Sequence, residues 1–257
     1  MTDRSISLIL AAYGAPGILA IGHLSALGYR PEQVGLLTHG DDERNRPLLA
    51  CAADNGISVC QSAAKESAAK QWLQERRPRL LFSLHYRDRI PGDLLAIPTG
   101  GCVNLHPSLL PKHRGCFSVP WAILGGDDVT GFSYHWMTEK FDEGNILLQR
   151  IIPIGKYDSA YTLFHRQIAE GLAVFPEAVA LALRGERGTP QAPGGSYHPR
   201  AVPYGGRIDP SWDRGRVSCF IRALDFPPYP PAMVELRGKK YPVPSMEEYD
   251  RLLSVHR

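Results

Sequence analysis

The chain has 257 residues, of which 44% are hydrophobic and 21% charged, and a formal net charge of +3. These values lie in the ordinary range of a globular protein and set disorder aside as the default. They allow one full α/β domain with a small appendage, and they give a mildly basic surface that favours phosphorylated or carboxylated small molecules. No basic run marks a nucleic-acid arm, and five cysteines without a CxxC pair point to reduced thiols in a cytoplasm rather than to disulfides or a zinc site.

The apolar stretch 6–13 follows Arg4, but no small-residue cleavage site closes it, so it reads as a buried strand rather than a signal peptide. Gly14, Pro16 and His23 interrupt the apolar run before it reaches the ~20 residues of a membrane span. Further strands are expected over 34–39, 58–61, 80–86, 101–106 and 131–137. They alternate with helical patterns over 17–29, 42–55 and 63–76. This alternation predicts a Rossmann-like, doubly wound and mainly parallel sheet, with ligands beyond the carboxyl ends of the strands near Tyr13, His39, Tyr86 and His106. A strand over 145–154 and a long helix over 159–183 follow. Gly and Pro then concentrate in 184–195, which places a boundary between an N-terminal catalytic domain, 1–188, and a small C-terminal α+β subdomain, 196–257. A helix over 217–224 and a hairpin over 232–243, turning at Arg237 and Gly238, are expected in that subdomain.

The stretch 103–115, VNLHPSLLPKHRG, carries the chemistry. A strand delivers Asn104 and His106 two residues apart, hence on one face, and Pro107, Pro111 and Gly115 then enforce an extended loop. An amide and an imidazole so placed can polarise a carbonyl and handle a proton, which acyl transfer to an amine requires. The stretch 130–149, TGFSYHWMTEKFDEGNILLQ, adds Asp142 before Gly144. Taken residue by residue, plainer readings stay open: His106 capping a strand, Asn104 satisfying turn backbone, Asp142 fixing a tight turn. The scattered histidines show no metal-ligand spacing, so no metal is expected. The segment YGAPGI is not GxGxxG, so the dinucleotide fingerprint is missing where it belongs.

Together, NxHPSLLPxxRG followed by TG, H and DxG resembles the signature of the 10-formyltetrahydrofolate-dependent formyltransferases, the family of glycinamide ribonucleotide and methionyl-tRNA formyltransferases. The resemblance implies a catalytic set of Asn104, His106 and Asp142, and a folate-facing loop of Ser108, Leu109, Leu110 and Pro111. The segment LHYRDRIP stands where the family has its pterin-pocket loop, which directs Tyr86, Arg87 and Ile90 to the co-substrate. It departs from the family's more apolar version in Arg87, Asp88 and Arg89. The segments AAYGAPG, THGDDERN, FHRQIA, YGGRIDPSW and FIRALDFPPYPPA extend the resemblance over essentially the whole chain to the sugar N-formyltransferases, in particular the branch acting on GDP-perosamine.

That resemblance implies formyl transfer from 10-formyltetrahydrofolate to the amine of a nucleotide-linked amino sugar, for lipopolysaccharide O-antigen synthesis. The expected protein is a cytoplasmic homodimer without nucleic-acid or membrane partners. His106 is expected to act as base, Asn104 to stabilise the oxyanion and Asp142 to hold His106. The turns after Tyr13 and His39 are expected to take the nucleotide, through Tyr13, Gly14, His39, Arg46 and Arg114. Two other readings stand beside it: a different amine, as in hydroxyornithine or methionyl-tRNA, for which 196–257 is a short tRNA domain, and a silent folate or nucleotide binder.

Overall fold

The computed structural model describes residues 7–256, so the start of the first expected strand, Ile6, lies outside them. The elements run β1 (Leu8–Ala12), α1 (Ala15–Ala26), β2 (Val34–Leu37), α2 (Arg46–Asp54), β3 (Ser58–Cys60), α3 (Ser67–Arg76), β4 (Leu80–Leu84), α4 (Gly92–Leu95) and β5 (Cys102–His106). The chain continues through β6 (Arg114–Gly115), α5 (Ser118–Leu124), β7 (Val129–Trp136), β8 (Ile146–Pro153), α6 (Ala160–Ala173) and α7 (Phe175–Leu183). It ends with β9 (Tyr197–His198), α8 (Arg214–Leu224), β10 (Ala232–Leu236), β11 (Lys239–Val243) and α9 (Met246–Val255).

Seven strands form one sheet in the order β3-β2-β1-β4-β5-β7-β8. The pairs β3/β2, β2/β1, β1/β4 and β4/β5 are parallel, and β5/β7 is antiparallel. The doubly wound, mainly parallel sheet expected from the alternation is therefore present. Its strand order reverses between β1 and β4, which opens the ligand crevice at the carboxyl ends of these strands. β1 and β4 are buried along their whole length, as apolar runs covered on both faces should be.

The contacts within the chain divide it into two compact units, each built from separate segments. The first comprises the residues up to His106 with Ser133–Gln149 and Ile168–Ala192. The second comprises Pro107–Phe132, Arg150–Gln167 and the residues from Pro193 onward. One junction, at Ala192 and Pro193, falls inside the Gly/Pro-rich stretch 184–195, and the others fall within 1–188.

In the first unit, Ile9, Leu37, Leu73, Leu81, Ile90 and Leu94 share one core cluster. A Cβ on Gly17 would stand 2.8 Å from the Leu48 methyls and 3.0 Å from the Ala12 Cβ, so a glycine here lets α1 lie close against β1 and α2. In the second unit, α8, the β10/β11 hairpin and α9 enclose Val217, Phe220, Val234, Val243, Tyr249 and Leu252. The hairpin turns at Arg237 and Gly238, both at positive φ, as expected.

The long helix expected over 159–183 is two helices. The chain breaks at Val174 because Pro176, in the first turn of α7, has no N–H to donate and its ring excludes the carbonyl four residues earlier. The helices α5 and α9 were not expected. Ser245 caps α9 by accepting from the Glu248 N–H (3.2 Å), a capping signal that stands in the sequence. Among the described residues no helix is long and apolar enough to cross a membrane.

Candidate active site

The carboxyl end of β5 carries Asn104 and His106 on one face, while Val103 and Leu105 are buried on the other. The antiparallel register with β7 sets His135 directly opposite Asn104 and Ser133 opposite His106. A turn after β7 then brings Asp142 back to the same place. Its Oδ2 lies 3.5 Å from His106 Nδ1 and its Oδ1 lies 3.2 Å from His135 Nε2. Asn104 Nδ2 lies 3.2 Å from the same His135 nitrogen. His106, His135 and Asp142 are 5%, 2% and 9% exposed, so their charges are settled among themselves rather than by water.

Proton positions follow from the geometry. His135 Nδ1 lies 3.0 Å from the Trp136 carbonyl and therefore carries a hydrogen. Nε2 and a carboxylate oxygen 3.2 Å apart repel unless a proton stands between them, so the His135–Asp142 contact holds one. With that proton in place, the amide of Asn104 satisfies His135 best through Oδ1, after a half-turn about χ2 that directs its NH2 away from the ring. Asp142 sits beside His106 Nδ1 and so favours the tautomer protonated there. Nε2 is then the nitrogen on the far side of the ring.

The turn holding Asp142 is braced from within its own unit. Asp142 has φ 54°, a left-handed conformation that aspartate tolerates. A Cβ on Gly144 would stand 1.8 Å from the Trp136 carbonyl oxygen, so a glycine is required. Gln191 Nε2 donates to the Asp142 and Gly144 carbonyls at 2.6 and 2.8 Å, Asn145 Nδ2 donates to Arg187 O, and Trp136 Nε1 donates to Glu186 O. The segment expected to be a mere boundary thus supports the Asp142 turn. Neither Gln191 nor His135 was singled out from the sequence, although His135 stands in the motif that was.

A second cluster gathers at the carboxyl ends of β1, β2 and β4. The Tyr13 hydroxyl donates to both oxygens of Asp42, at 2.9 and 2.8 Å, and holds that carboxyl below the usual carboxylate range. Buried Asn45 accepts from the Gly14 N–H (3.2 Å) and donates to the His39 (2.8 Å) and Gly40 (3.2 Å) carbonyls, fixing both turns together. His39 Nε2 accepts from the Arg87 N–H (3.2 Å), and burial lowers the pKa of this imidazole, in keeping with a neutral ring. Tyr86 stacks on His39 at 4.5 Å between ring centroids, and burial pushes its phenol up to about 12. Tyr13, Gly14, His39, Tyr86 and Arg87 are therefore brought together. Arg46 lies on α2, with its Nε 3.0 Å from Asp41 Oδ1.

Alongside the loop 84–91, a cleft of about 410 Å³ is lined by Lys65, Asp88, Arg89, Pro91 and Gly92. Two cations, Lys65 and Arg89, stand there beside the carboxylate of Asp88. Ile90 is buried in the core cluster of this unit. A smaller cavity of about 180 Å³, lined by Leu24, Tyr29, Val34 and Ile57 among others, lies at the amino ends of the strands and presents no converging charges.

The second unit holds the loop that follows His106. Ser108 is buried and donates from Oγ to the Lys112 carbonyl (2.7 Å), Leu110 is buried, and Leu109 and Pro111 are half-buried. Buried Gln167 donates to the Pro107 carbonyl at 3.0 Å and Ser118 Oγ to the same oxygen at 3.0 Å, which anchors the start of the loop. Arg114, on β6, donates from Nη2 to the Gly194 carbonyl (3.2 Å).

Residues 36–179 match the formyl transferase family, and the chain belongs to it. Over 246 residues it is 40% identical to the GDP-perosamine N-formyltransferase of Brucella melitensis, covering 96% of this chain and 95% of that protein. A sugar N-formyltransferase from Shewanella shares the fold with a TM-score of 0.77 at 19% identity, over 93% of this chain and 97% of the other. An N-formyltransferase from Helicobacter canadensis, solved with folinic acid and dTDP-3-aminofucose, does so with a TM-score of 0.72 at 21% identity, over 91% and 86%.

Proposed function

We propose that this protein transfers the formyl group of 10-formyltetrahydrofolate to the amine of a GDP-linked amino-dideoxy sugar, GDP-perosamine. In this reading it is a cytoplasmic homodimer and supplies a formylated sugar for a lipopolysaccharide O-antigen. The observation that carries the reaction class is the meeting of Asn104 with the buried His106, His135 and Asp142 at the end of β5. The 40% identity to a GDP-perosamine enzyme over almost the whole chain supports the acceptor.

The amine attacks as the free base and must lose a proton as the C–N bond forms. His106 takes it through Nε2, and Asp142, beside Nδ1, holds the ring in that tautomer and stabilises the imidazolium that results. As the formyl oxygen gains charge, the Asn104 NH2 donates to it, and His135 fixes the amide that does so. The proton held between His135 and Asp142 lies in reach of the same centre and can pass, directly or through water, to the leaving nitrogen of the co-substrate. In this reading Tyr13, Gly14 and His39 face the nucleotide.

The test is a mass-spectrometric assay with purified protein, 10-formyltetrahydrofolate and GDP-perosamine. One formyl group gained on the sugar, and none with His106→Ala, is the expected result. A variant that transfers formyl as well as the wild type removes His106 from the chemistry.

A further inference from the structure

We propose that Arg87 serves the acceptor rather than the folate: its guanidinium is the cation that receives the diphosphate of the nucleotide sugar. The proposal rests on the nucleotide-sugar reading above and assigns that site a residue which the pterin-loop resemblance places elsewhere.

The loop after β4 sends its two arginines in different directions. Arg89 donates from Nη2 to the Glu139 carbonyl (3.0 Å) and lies over the Phe141 ring, 5.2 Å from its centroid. Arg87 turns toward the ends of β1 and β2, with its guanidinium carbon 4.8 Å from the centroid of the Tyr13 ring. Its backbone N–H is tied to His39 Nε2, and the preceding Tyr86 is locked by stacking on His39 and by accepting from the Ala64 N–H (3.1 Å). The Tyr13 ring beneath it is itself fixed by the two contacts of its hydroxyl with Asp42. A flexible cation is therefore held over a rigid platform before any ligand arrives, which lowers the ordering cost of binding.

The surroundings leave its hydrogen-bonding edge available to an anion. Asp42 Oδ2 forms a loose ion pair with Arg87 Nη1 at 3.8 Å, longer than a hydrogen bond, and that carboxylate already accepts from the Tyr13 hydroxyl and from the Arg44 and Asn45 N–H groups (3.0 and 2.9 Å). The side chain is 47% exposed. The other arginine expected on this side of the unit, Arg46, has its Nε engaged by Asp41. A diphosphate presents oxygens in the spacing a guanidinium fork matches, and lysine matches less well. Folate carboxylates share that chemistry, but the cations of the cleft beside this loop are Lys65 and Arg89, which stand with Asp88, and Arg87 does not line it.

Steady-state kinetics of Arg87→Ala and Arg87→Lys, with calorimetric binding of GDP to each full-length protein, decide the matter. Arg87→Ala should raise KM for the GDP-linked sugar and weaken GDP binding by about 10–100-fold, the loss of one charge-assisted contact. The folate KM and kcat at saturation should stay near wild type, and the lysine variant should recover part of the loss. The backbone bond to His39 survives both substitutions, so an unchanged melting temperature is the control for folding. A raised folate KM with unchanged GDP binding would assign Arg87 to the co-substrate, and no change in either would return it to the solvated surface. A wild type that fails to bind GDP at all overturns the GDP-linked acceptor, whereas wild-type binding that survives Arg87→Ala overturns only the role of Arg87.

Discussion

At the scale of single residues, the reaction centre depends on which atom faces which. Asn104 is the one member of its cluster with no proton to gain or lose, and in the proposed reaction its amide presents hydrogens to the developing oxyanion. Asn104→Ala should cost about 2.7–4 kcal/mol of barrier, seen as a fall of about 10²–10³ in kcat with little change in KM. His135 and Asp142 share a proton, so their single substitutions remove the same interaction. In a double-mutant cycle on kcat/KM, His135→Ala and Asp142→Asn should fall well short of additivity, and strict additivity would show that the 3.2 Å contact has no part in turnover. Asn104 and His106 were legible in the sequence because a strand puts residues two apart on one face. The place of His135 was not, since it depends on the antiparallel register of β7 against β5, which no local pattern encodes.

At the scale of elements, the connections carry as much of the site as the strands do. The Asp142 turn is held by Gln191, from a segment whose Gly and Pro content reads as a boundary and whose hydrogen bonds are visible only in the fold. Gln191→Ala removes two hydrogen bonds to that turn, about 1–3 kcal/mol. It should lower kcat more than it lowers the affinity for either substrate, and equal losses in both would argue for general destabilisation. The start of α6 makes a second element-scale prediction. Burial opposes the charge of Asp158, but hydrogen bonds from Arg166 (2.6 Å), Gly155 N–H (2.6 Å) and Thr162 outweigh it and hold the carboxyl below its ordinary range. A carboxylate with a lowered folded pKa adds stability above its ordinary value of about 4 and loses it as pH falls through the native value. Melting temperatures should therefore drop on acidification from about pH 5, and Asp158→Asn should be less stable at neutral pH yet show a shallower drop. The strands of the seven-stranded sheet were read to within about two residues because each is a short apolar-rich run, whereas the two-residue strands β6 and β9 carry no such pattern. The break between α6 and α7 follows from Pro176, whose meaning a long apolar periodicity conceals.

At the scale of the whole chain, the alternation of strands and helices was enough to expect a doubly wound sheet, and the strand order then placed the crevice at the ends of β1 and β4. The partition into units was less legible, because compactness joins segments far apart in sequence. Of the proposed reaction and acceptor, the reaction is common to the family and the acceptor is the less general half. The most direct measurement compares kcat/KM for formyl transfer from 10-formyltetrahydrofolate to GDP-perosamine and to dTDP-linked 3-amino and 4-amino sugars, by mass spectrometry of the products. Transfer to GDP-perosamine in clear preference to every dTDP sugar is the expected result. Preference for a dTDP sugar, or no transfer to any of them, would contradict it.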